Sequence, residues 1–250
     1  MHVDISSGGL ILRGHLARPS REDGRPDRAL VICHGFPSGP LGTVGSGHTY
    51  PQLADRLAEL AGWTVLTCNL RGTGHSGGDF SLGGWLADLG AAADHVLGLP
   101  EVAGVWLAGF DVGGALALCV AGEDQRVRGV ASLGAPAGFD DWAADPSGLL
   151  EAARSLGVIR TPGFPADHEA WSRDLAELRP LALVGKIPPR PLLIVHGADD
   201  DVVPLVDARA LADAADGEVD LRVLPGAGHR LRHDPRAVAV LLGWLERLGD

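Results

Sequence analysis

The sequence Gly109-Phe110-Asp111-Val112-Gly113-Gly114 carries the most specific signal in this chain. It directly follows residues 105–108, a short apolar run that predicts a buried strand, and it precedes residues 115–121, which predict a helix. In open parallel sheets, ligands bind at the carboxyl ends of the strands. Asp111 is therefore a candidate functional residue at the edge of a sheet.

Short apolar runs alternate with longer amphipathic runs on both sides of this sequence. The predicted strands are residues 3–5, 10–16, 29–33, 64–68, 105–108, 127–133, 192–195 and 219–224. The predicted helices are residues 52–60, 82–97, 115–121, 148–156, 167–178, 205–215 and 235–248, and the predicted loops include residues 19–28 and 35–47. This alternation predicts right-handed crossovers and a mostly parallel sheet that is covered by helices on both faces.

Residues that can carry chemistry also follow three other predicted strands. His34-Gly35-Phe36-Pro37 follows the third strand, the acidic run Asp199-Asp200-Asp201 follows the seventh, and His229 follows the last. Because the carboxyl ends of parallel strands meet at one edge of the sheet, we expect these side chains at the same rim as Asp111.

The alternation is interrupted between residues 136 and 190. This segment is too short to form a domain of its own, and segments of this length inside a compact fold are usually functional. We predict one domain over residues 1–250, with a small lid at residues 136–190. Trp142 and Trp171 of the lid are expected to line a pocket for a small-molecule substrate.

The composition limits the function classes that the chain can belong to. Its 250 residues carry a formal net charge of -11, and 46% are hydrophobic, which argues against nucleic-acid binding and against disorder. No apolar run reaches the roughly 18 residues of a membrane helix, and the start shows no secretory pattern, so we expect a cytoplasmic protein without membrane contact. Three separate cysteines predict buried free thiols. We expect no metal and no cofactor, and we allow for a homodimer.

Together these segments resemble those of α/β-hydrolases, from about Ala29 to the end of the chain. Residues 109–113 are similar to the G-x-nucleophile-x-G elbow of that superfamily, a sharp strand-to-helix turn with small residues around the nucleophile. The resemblance implies a mostly parallel, eight-stranded sheet with helices on both faces and a short helical lid. It also implies an oxyanion hole formed by the backbone N–H groups of Phe36 and Val112. His34 is predicted to bond to the backbone at this rim and to border the substrate pocket.

The resemblance extends to a catalytic triad. The pattern Gly-x-x-Asp-x-x-Val-Pro points to Asp200 as the acid, although Asp199 and Asp201 leave the register open by one residue. His229 matches the catalytic histidine through its Gly-Ala-Gly-His context, which favours it over His233. The elbow residue, the acid and the histidine then follow the chain order of the superfamily.

Asp111 occupies the position at which most esterases, lipases and peptidases of this superfamily carry serine. A carboxylate can displace a leaving group from an sp³ carbon and form an alkyl ester, which water activated by His229 then hydrolyses. This chemistry resembles that of haloalkane dehalogenases and epoxide hydrolases, and it implies a small, largely apolar substrate. Two features depart from those groups. Val112 stands where many dehalogenases carry tryptophan, and Tyr50, the only tyrosine, lies outside the predicted lid.

Two alternatives remain open beside this interpretation. The chain could be a ligand-binding homologue that keeps the pocket without turnover, or an esterase scaffold in which Asp111 has replaced serine. An aspartate at the start of a helix is also a common N-cap, which requires no catalytic role.

Overall fold

The computed structural model describes residues 1–20, 27–37 and 49–249. The predicted loops at residues 19–28 and 35–47 lie mostly outside these ranges. No helix within the described ranges is both long enough and apolar enough to span a bilayer.

Eight strands of the described residues form one mixed sheet, in the order β1-β2-β4-β3-β5-β6-β7-β8. The strands are β1 (His2–Ser7), β2 (Leu10–Ala17), β3 (Asp27–Cys33), β4 (Thr64–Cys68), β5 (Val102–Phe110), β6 (Val127–Leu133), β7 (Leu192–Gly197) and β8 (Asp220–Leu224). The pairs β1–β2 and β2–β4 are antiparallel, whereas the pairs from β4 through β8 are parallel. The predicted mostly parallel, eight-stranded α/β-hydrolase sheet is confirmed.

Helices cover both faces of this sheet. They are α1 (Thr49–Ala61), α2 (Leu82–Leu97), α3 (Val112–Glu123), α4 (Asp140–Ala144), α5 (Pro146–Ser155), α6 (His168–Glu177), α7 (Pro180–Leu183), α8 (Leu205–Ala214) and α9 (Pro235–Gly249). Side chains of α2, α3 and α8 contribute to one apolar core, and side chains of α1 and α9 contribute to a second core. Strand β3 shows why two cores form, because Val31 packs into the first and its neighbours Leu30 and Ile32 into the second.

The junction between β5 and α3 is tighter than the sequence predicts. Strand β5 continues to Phe110 and helix α3 begins at Val112, so Asp111 alone separates them. Glycines make this possible, because a Cβ atom at Gly109 would lie 2.0 Å from the Gly113 carbonyl oxygen. A Cβ at Gly113 would lie 2.4 Å from the His34 carbonyl oxygen. The strand and helix predictions were too short here because glycines favour loops in a sequence pattern.

The segment between β6 and β7 carries the helices of the predicted lid. Helices α5 and α6 correspond to the two helix-like pieces predicted from the sequence, while the short helices α4 and α7 were not predicted. Helix α4 has only five residues and none of them is buried, so it offers no apolar periodicity for a sequence pattern to detect.

Candidate active site

Asp111 has a backbone conformation that non-glycine residues rarely adopt. Its φ and ψ are 54° and -130°, and it is the one non-glycine residue with positive φ in the described ranges. Such conformations cost about 1–3 kcal/mol and persist where the surrounding structure enforces them. The Asp111 N–H donates to the Leu133 carbonyl oxygen at 2.8 Å, which anchors the turn to β6. The side chain makes no cap hydrogen bond to α3, so the structure excludes the N-cap role.

The Asp111 carboxylate instead meets the loop that follows β3. Its Oδ2 accepts a hydrogen bond from the Phe36 N–H at 2.9 Å, and the Val112 N–H also donates to the carboxylate. Only glycine fits at position 35, because a Cβ there would lie 2.6 Å from Oδ2 of Asp111. The two backbone donors predicted to form an oxyanion hole therefore both contact the carboxylate of Asp111.

His229 lies between two carboxylates. Its Nδ1 is 3.0 Å from Oδ2 and 3.1 Å from Oδ1 of Asp200, and its Nε2 is 3.6 Å from Oδ1 of Asp111. The Asp200 side chain is fully buried and accepts the N–H groups of Val202 and Val203 at 3.0 and 2.8 Å. Asp200 is thus placed to accept a hydrogen bond from the Nδ1–H of His229, while Nε2 of the ring faces Asp111.

The surroundings of Asp111 change its acidity. Burial raises the pKa of its carboxyl group to about 6, against the lowering effects of the His229 charge and of the Phe36 and Val112 N–H groups. The negative charge of Asp200 adds to the increase. Asp111 is thus a carboxylate at neutral pH, yet one whose charge is weakly compensated, which favours reaction with an electrophile.

The structure brings together Asp111, Asp200 and His229 and separates their sequence neighbours from them. Asp199 and Asp201 are exposed, and Asp200 is the member of the acidic run that contacts the histidine. His233 lies further out, where its Nε2 accepts a hydrogen bond from Arg232. Within the described ranges, no cluster of three or more His, Cys, Asp or Glu residues could hold a metal ion.

Two cavities meet at Asp111. The larger, of about 890 Å³, extends towards the His229 loop, and the smaller, of about 370 Å³, extends along the segment after β6 towards α7 and α8. Asp111, Trp142 and Val202 line both cavities. Trp142 of α4 therefore lies at the pocket, where the sequence analysis expected it.

His34 and Trp171 are not among the residues that line these two cavities, and His34 bonds to the backbone at the rim as predicted. His34 is buried, donates from Nδ1 to the Gly35 carbonyl oxygen at 2.8 Å, and accepts the Leu70 N–H at Nε2. Burial lowers its pKa to about 4, so the ring is neutral and fixes the oxyanion loop. Trp171 is also buried, and its indole N–H donates to the Phe80 carbonyl oxygen at 3.1 Å.

Tyr50 supports the same loop, which the sequence analysis did not predict. Its ring is buried, packs against Phe110 and His34, and lies 4.5 Å below the guanidinium of Arg232. Burial raises the pKa of the Tyr50 hydroxyl, against a hydrogen bond with the Gly35 backbone. The Gly35 peptide is therefore held by the buried rings of His34 and Tyr50. The one sequence feature that singled out Tyr50 is that the chain has no other tyrosine.

Comparisons with known proteins agree with this fold. A family model described as the alpha/beta hydrolase family matches residues 30–241. A monoacylglycerol lipase of Mycolicibacterium smegmatis is 27% identical over an alignment of 246 residues, which covers 81% of this chain and 86% of that protein.

Solved structures resemble the whole chain. The alpha/beta hydrolase GrgF from a Penicillium species superposes with a TM-score of 0.75 at 21% identity, covering 99% of this chain and 98% of the other. Est1E from Butyrivibrio proteoclasticus, with ferulic acid bound, superposes with a TM-score of 0.72 at 21% identity, covering 99% and 97%. At these identities the likeness concerns the fold alone.

Proposed function

This chain belongs to the alpha/beta hydrolase family, and we propose that it is a hydrolase in which Asp111 attacks a saturated carbon of a small, largely apolar molecule. One observation carries the proposal. Oδ2 of Asp111 accepts the Phe36 N–H, while Oδ1 lies 3.6 Å from Nε2 of His229. The two oxygens of one carboxylate thus have different environments, and each suits a different step.

In the first step, Oδ1 of Asp111 forms a bond to the sp³ carbon of the substrate. The bond to the leaving group breaks, and its electron pair departs with that group as an anion. The product is an alkyl ester of Asp111, in which Oδ2 is the carbonyl oxygen and already accepts a hydrogen bond from the Phe36 N–H.

In the second step, Nε2 of His229 takes a proton from water, and the hydroxide oxygen bonds to Cγ of Asp111. The developing charge on Oδ2 is stabilised by the Phe36 and Val112 N–H groups. The Cγ–Oδ1 bond then breaks, and the alcohol leaves with the proton from His229. For an alkyl halide the sum is halide, alcohol and one released proton, and Asp200 holds the His229 ring in place throughout.

Direct attack on an ester carbonyl is less suited to this site. It would produce a mixed anhydride, and the carbonyl oxygen of the ester would compete with Oδ2 of Asp111 for the same two N–H donors. The matched lipase and the esterase structures therefore suggest the origin of the scaffold more than its present reaction.

The residues around the leaving group favour a halide over an epoxide. Trp142 lines both cavities, and its indole N–H has no hydrogen-bond partner in the described part of the chain, so it can donate to an anion. An epoxide oxygen needs a proton, but Tyr50 is buried under the oxyanion loop and away from the lid helices.

The decisive experiment traps the covalent intermediate. In a His229→Gln variant, the first step should proceed and the second should stall, so incubation with short haloalkanes should add one alkyl group to Asp111. Peptide mass spectrometry after digestion measures the added mass, and His229→Gln/Asp111→Asn is the matched control. If haloalkanes and epoxides both fail to label Asp111, the nucleophile assignment is abandoned.

An isotope experiment tests the second step in the active protein. The mechanism puts the oxygen of water into Asp111 and the former Oδ1 into the alcohol. A single turnover in oxygen-18 water should therefore label Asp111, and the first alcohol released should be unlabelled. Label in the alcohol on the first turnover would mean that water attacks the substrate directly.

A further inference from the structure

We propose that Arg230 and His233 form a carboxylate-binding subsite in the outer part of the larger cavity. The substrate would then combine an apolar body with one carboxylate. As a statement about the substrate, this rests on the proposed function. Binding of a carboxylate, however, can be measured without any turnover.

Arg230 supplies an uncompensated positive charge to the cavity wall. It lines the 890 Å³ cavity, and within the described ranges its guanidinium has no hydrogen bond or ion pair. Arg236 shows the contrast, because its guanidinium is held by Asp234 at 2.7 Å and by the Pro225 carbonyl oxygen at 2.7 Å. A free guanidinium at a cavity is a strong donor for a carboxylate.

His233 adds a neutral donor next to this charge. Its Nε2 accepts hydrogen bonds from Arg232, at 2.9 Å from Nη2, so the proton of the neutral ring resides on Nδ1. Burial, together with the charges of Arg232 and Arg230, lowers the pKa of His233 and keeps the ring neutral. His233 lines the same cavity, where its Nδ1–H has no partner in the described part of the chain.

Other charges on this wall set the selectivity. Asp234 is neutralised by Arg236, whereas Asp201 is exposed and opposes an anion. Arg230 is not among the groups that most affect the Asp111 carboxyl, which are His229, Asp200 and two backbone N–H groups. The substrate carboxylate would thus lie apart from Asp111, with several bonds between it and the reacting carbon.

The smaller cavity would hold the apolar body of such a substrate. Its wall includes Phe139, Leu181 and Val203, and it meets the larger cavity at Asp111. A chain with its carboxylate at Arg230 can therefore pass Asp111 and place its apolar end beyond Trp142.

The test compares carboxylates with their matched primary amides, for example hexanoate and hexanamide, by calorimetry on the full chain. We expect the protein to bind hexanoate about tenfold more tightly than hexanamide, and Arg230→Gln to abolish that preference. Asp201→Asn should increase the preference, because it removes the opposing charge. Arg247→Gln is the control, because Arg247 pairs with Asp220 and neither residue lines the cavity, and it should leave the preference unchanged.

The opposite signs expected for Arg230→Gln and Asp201→Asn separate a binding role from loss of folding. The preference should also weaken as salt is raised, since the subsite is open to solvent. Equal binding of acid and amide by the unmodified protein would overturn the proposal. So would a preference that survives in Arg230→Gln. Either result leaves the alkylation test of Asp111 untouched, because binding is measured without turnover.

Discussion

Oδ2 of Asp111 accepts the Phe36 N–H at 2.9 Å, so the side chain at the elbow already contacts a donor of the proposed oxyanion hole before any substrate binds. A serine at this position has a single oxygen and would leave the hole to the substrate. In the proposed mechanism, the Phe36 N–H is thus aligned on the atom that becomes the oxyanion in the second step. Such alignment avoids reorganisation during the reaction, which is the main source of electrostatic catalysis.

Activity should decline as the pH falls through about 6, because burial raises the pKa of Asp111 to about 6 and only the ionised form is a nucleophile. The alkylation of Asp111 in the His229→Gln variant isolates this ionisation from that of the histidine. Its midpoint should lie above 6, since the variant loses the positive charge that lowers this pKa. Rates of mass addition against pH measure it, and a rate that is flat from about pH 5 to about pH 8 would contradict the assignment.

The Asp111 carboxylate should lower the free energy of unfolding of the protein, by an amount that depends on pH. A pKa raised in the folded state means that ionisation favours unfolding, so the cost is full above about 6 and disappears as the pH falls towards the ordinary aspartate pKa of 3.8. Asp111→Asn should therefore stabilise the protein on the order of 2 kcal/mol at about pH 8, and hardly at about pH 4.

Urea unfolding at the two pH values measures this difference. Asp111→Gly is the companion variant, because it also relieves the φ of 54° and should add a gain that does not depend on pH. A gain for Asp111→Asn of equal size at both pH values would show that the carboxylate is not destabilised by burial.

Asp111→Ser should convert the site towards ester hydrolysis. The substitution frees the Phe36 and Val112 N–H groups and leaves a hydroxyl near Nε2 of His229. Hydrolysis of a short p-nitrophenyl ester should appear in the variant, while labelling by haloalkanes should be lost. If ester hydrolysis appears and the unmodified Asp111 is never labelled by any electrophile, the alternative of an esterase scaffold that lost its serine is favoured.

Asp200→Asn should lower the rate of the second step, hydrolysis of the alkyl ester, far more than the rate of the first step, alkylation of Asp111. Asp200 fixes the Nδ1–H of His229, and an amide at this position favours the wrong tautomer, a change that costs about four orders of magnitude in a serine protease. Turnover should drop by a similar factor, and alkylated Asp111 should accumulate. Asp199→Asn is the matched control, because Asp199 is an exposed neighbour. Equal losses in both variants would remove Asp200 from its role.

The periodicity of the sequence predicted most of the fold because its strands are buried on both faces. β4 (Thr64–Cys68) and β6 (Val127–Leu133) have the predicted bounds, and so does α2 (Leu82–Leu97). The predictions failed where glycine is used for close contact, around Asp111, and where a helix has no apolar stripe, as in α4.

The sequence predicted which residues lie at the rim of the sheet, but it did not predict the contacts that those residues make. The hydrogen bond from the Phe36 N–H to the Asp111 carboxylate joins residues 75 positions apart. Its geometry depends on the absence of a side chain at Gly35. His34 and Trp171 lie in segments that border the site, yet their ring N–H groups donate hydrogen bonds to backbone carbonyl oxygens. A sequence pattern does not state in which direction a side chain points.

The middle of the segment between β6 and β7 is attached to the body of the protein by Asp79. Its Oδ1 accepts the N–H groups of Arg160 and Thr161 at 2.6 and 3.0 Å, and the carboxylate is buried. Burial raises the pKa of Asp79, but the hydrogen bonds from Thr161 and Arg160 outweigh burial and leave this pKa below its ordinary value. The attachment is therefore intact at neutral pH and weakens only as strongly acidic conditions protonate Asp79.

Asp79→Ala should loosen this attachment, because it leaves the part-buried N–H groups of Arg160 and Thr161 without their acceptor, at a total cost of about 1–3 kcal/mol. Hydrogen exchange at residues 158–161 should accelerate, and KM should rise because the pocket wall that includes Trp142 is less well ordered. Asp167→Ala is the control, since Asp167 caps α6 within the same segment through a single exposed bond to Ala170. It should accelerate exchange only at the start of α6. If exchange at residues 158–161 were unchanged in Asp79→Ala, the segment would be held by its apolar contacts alone.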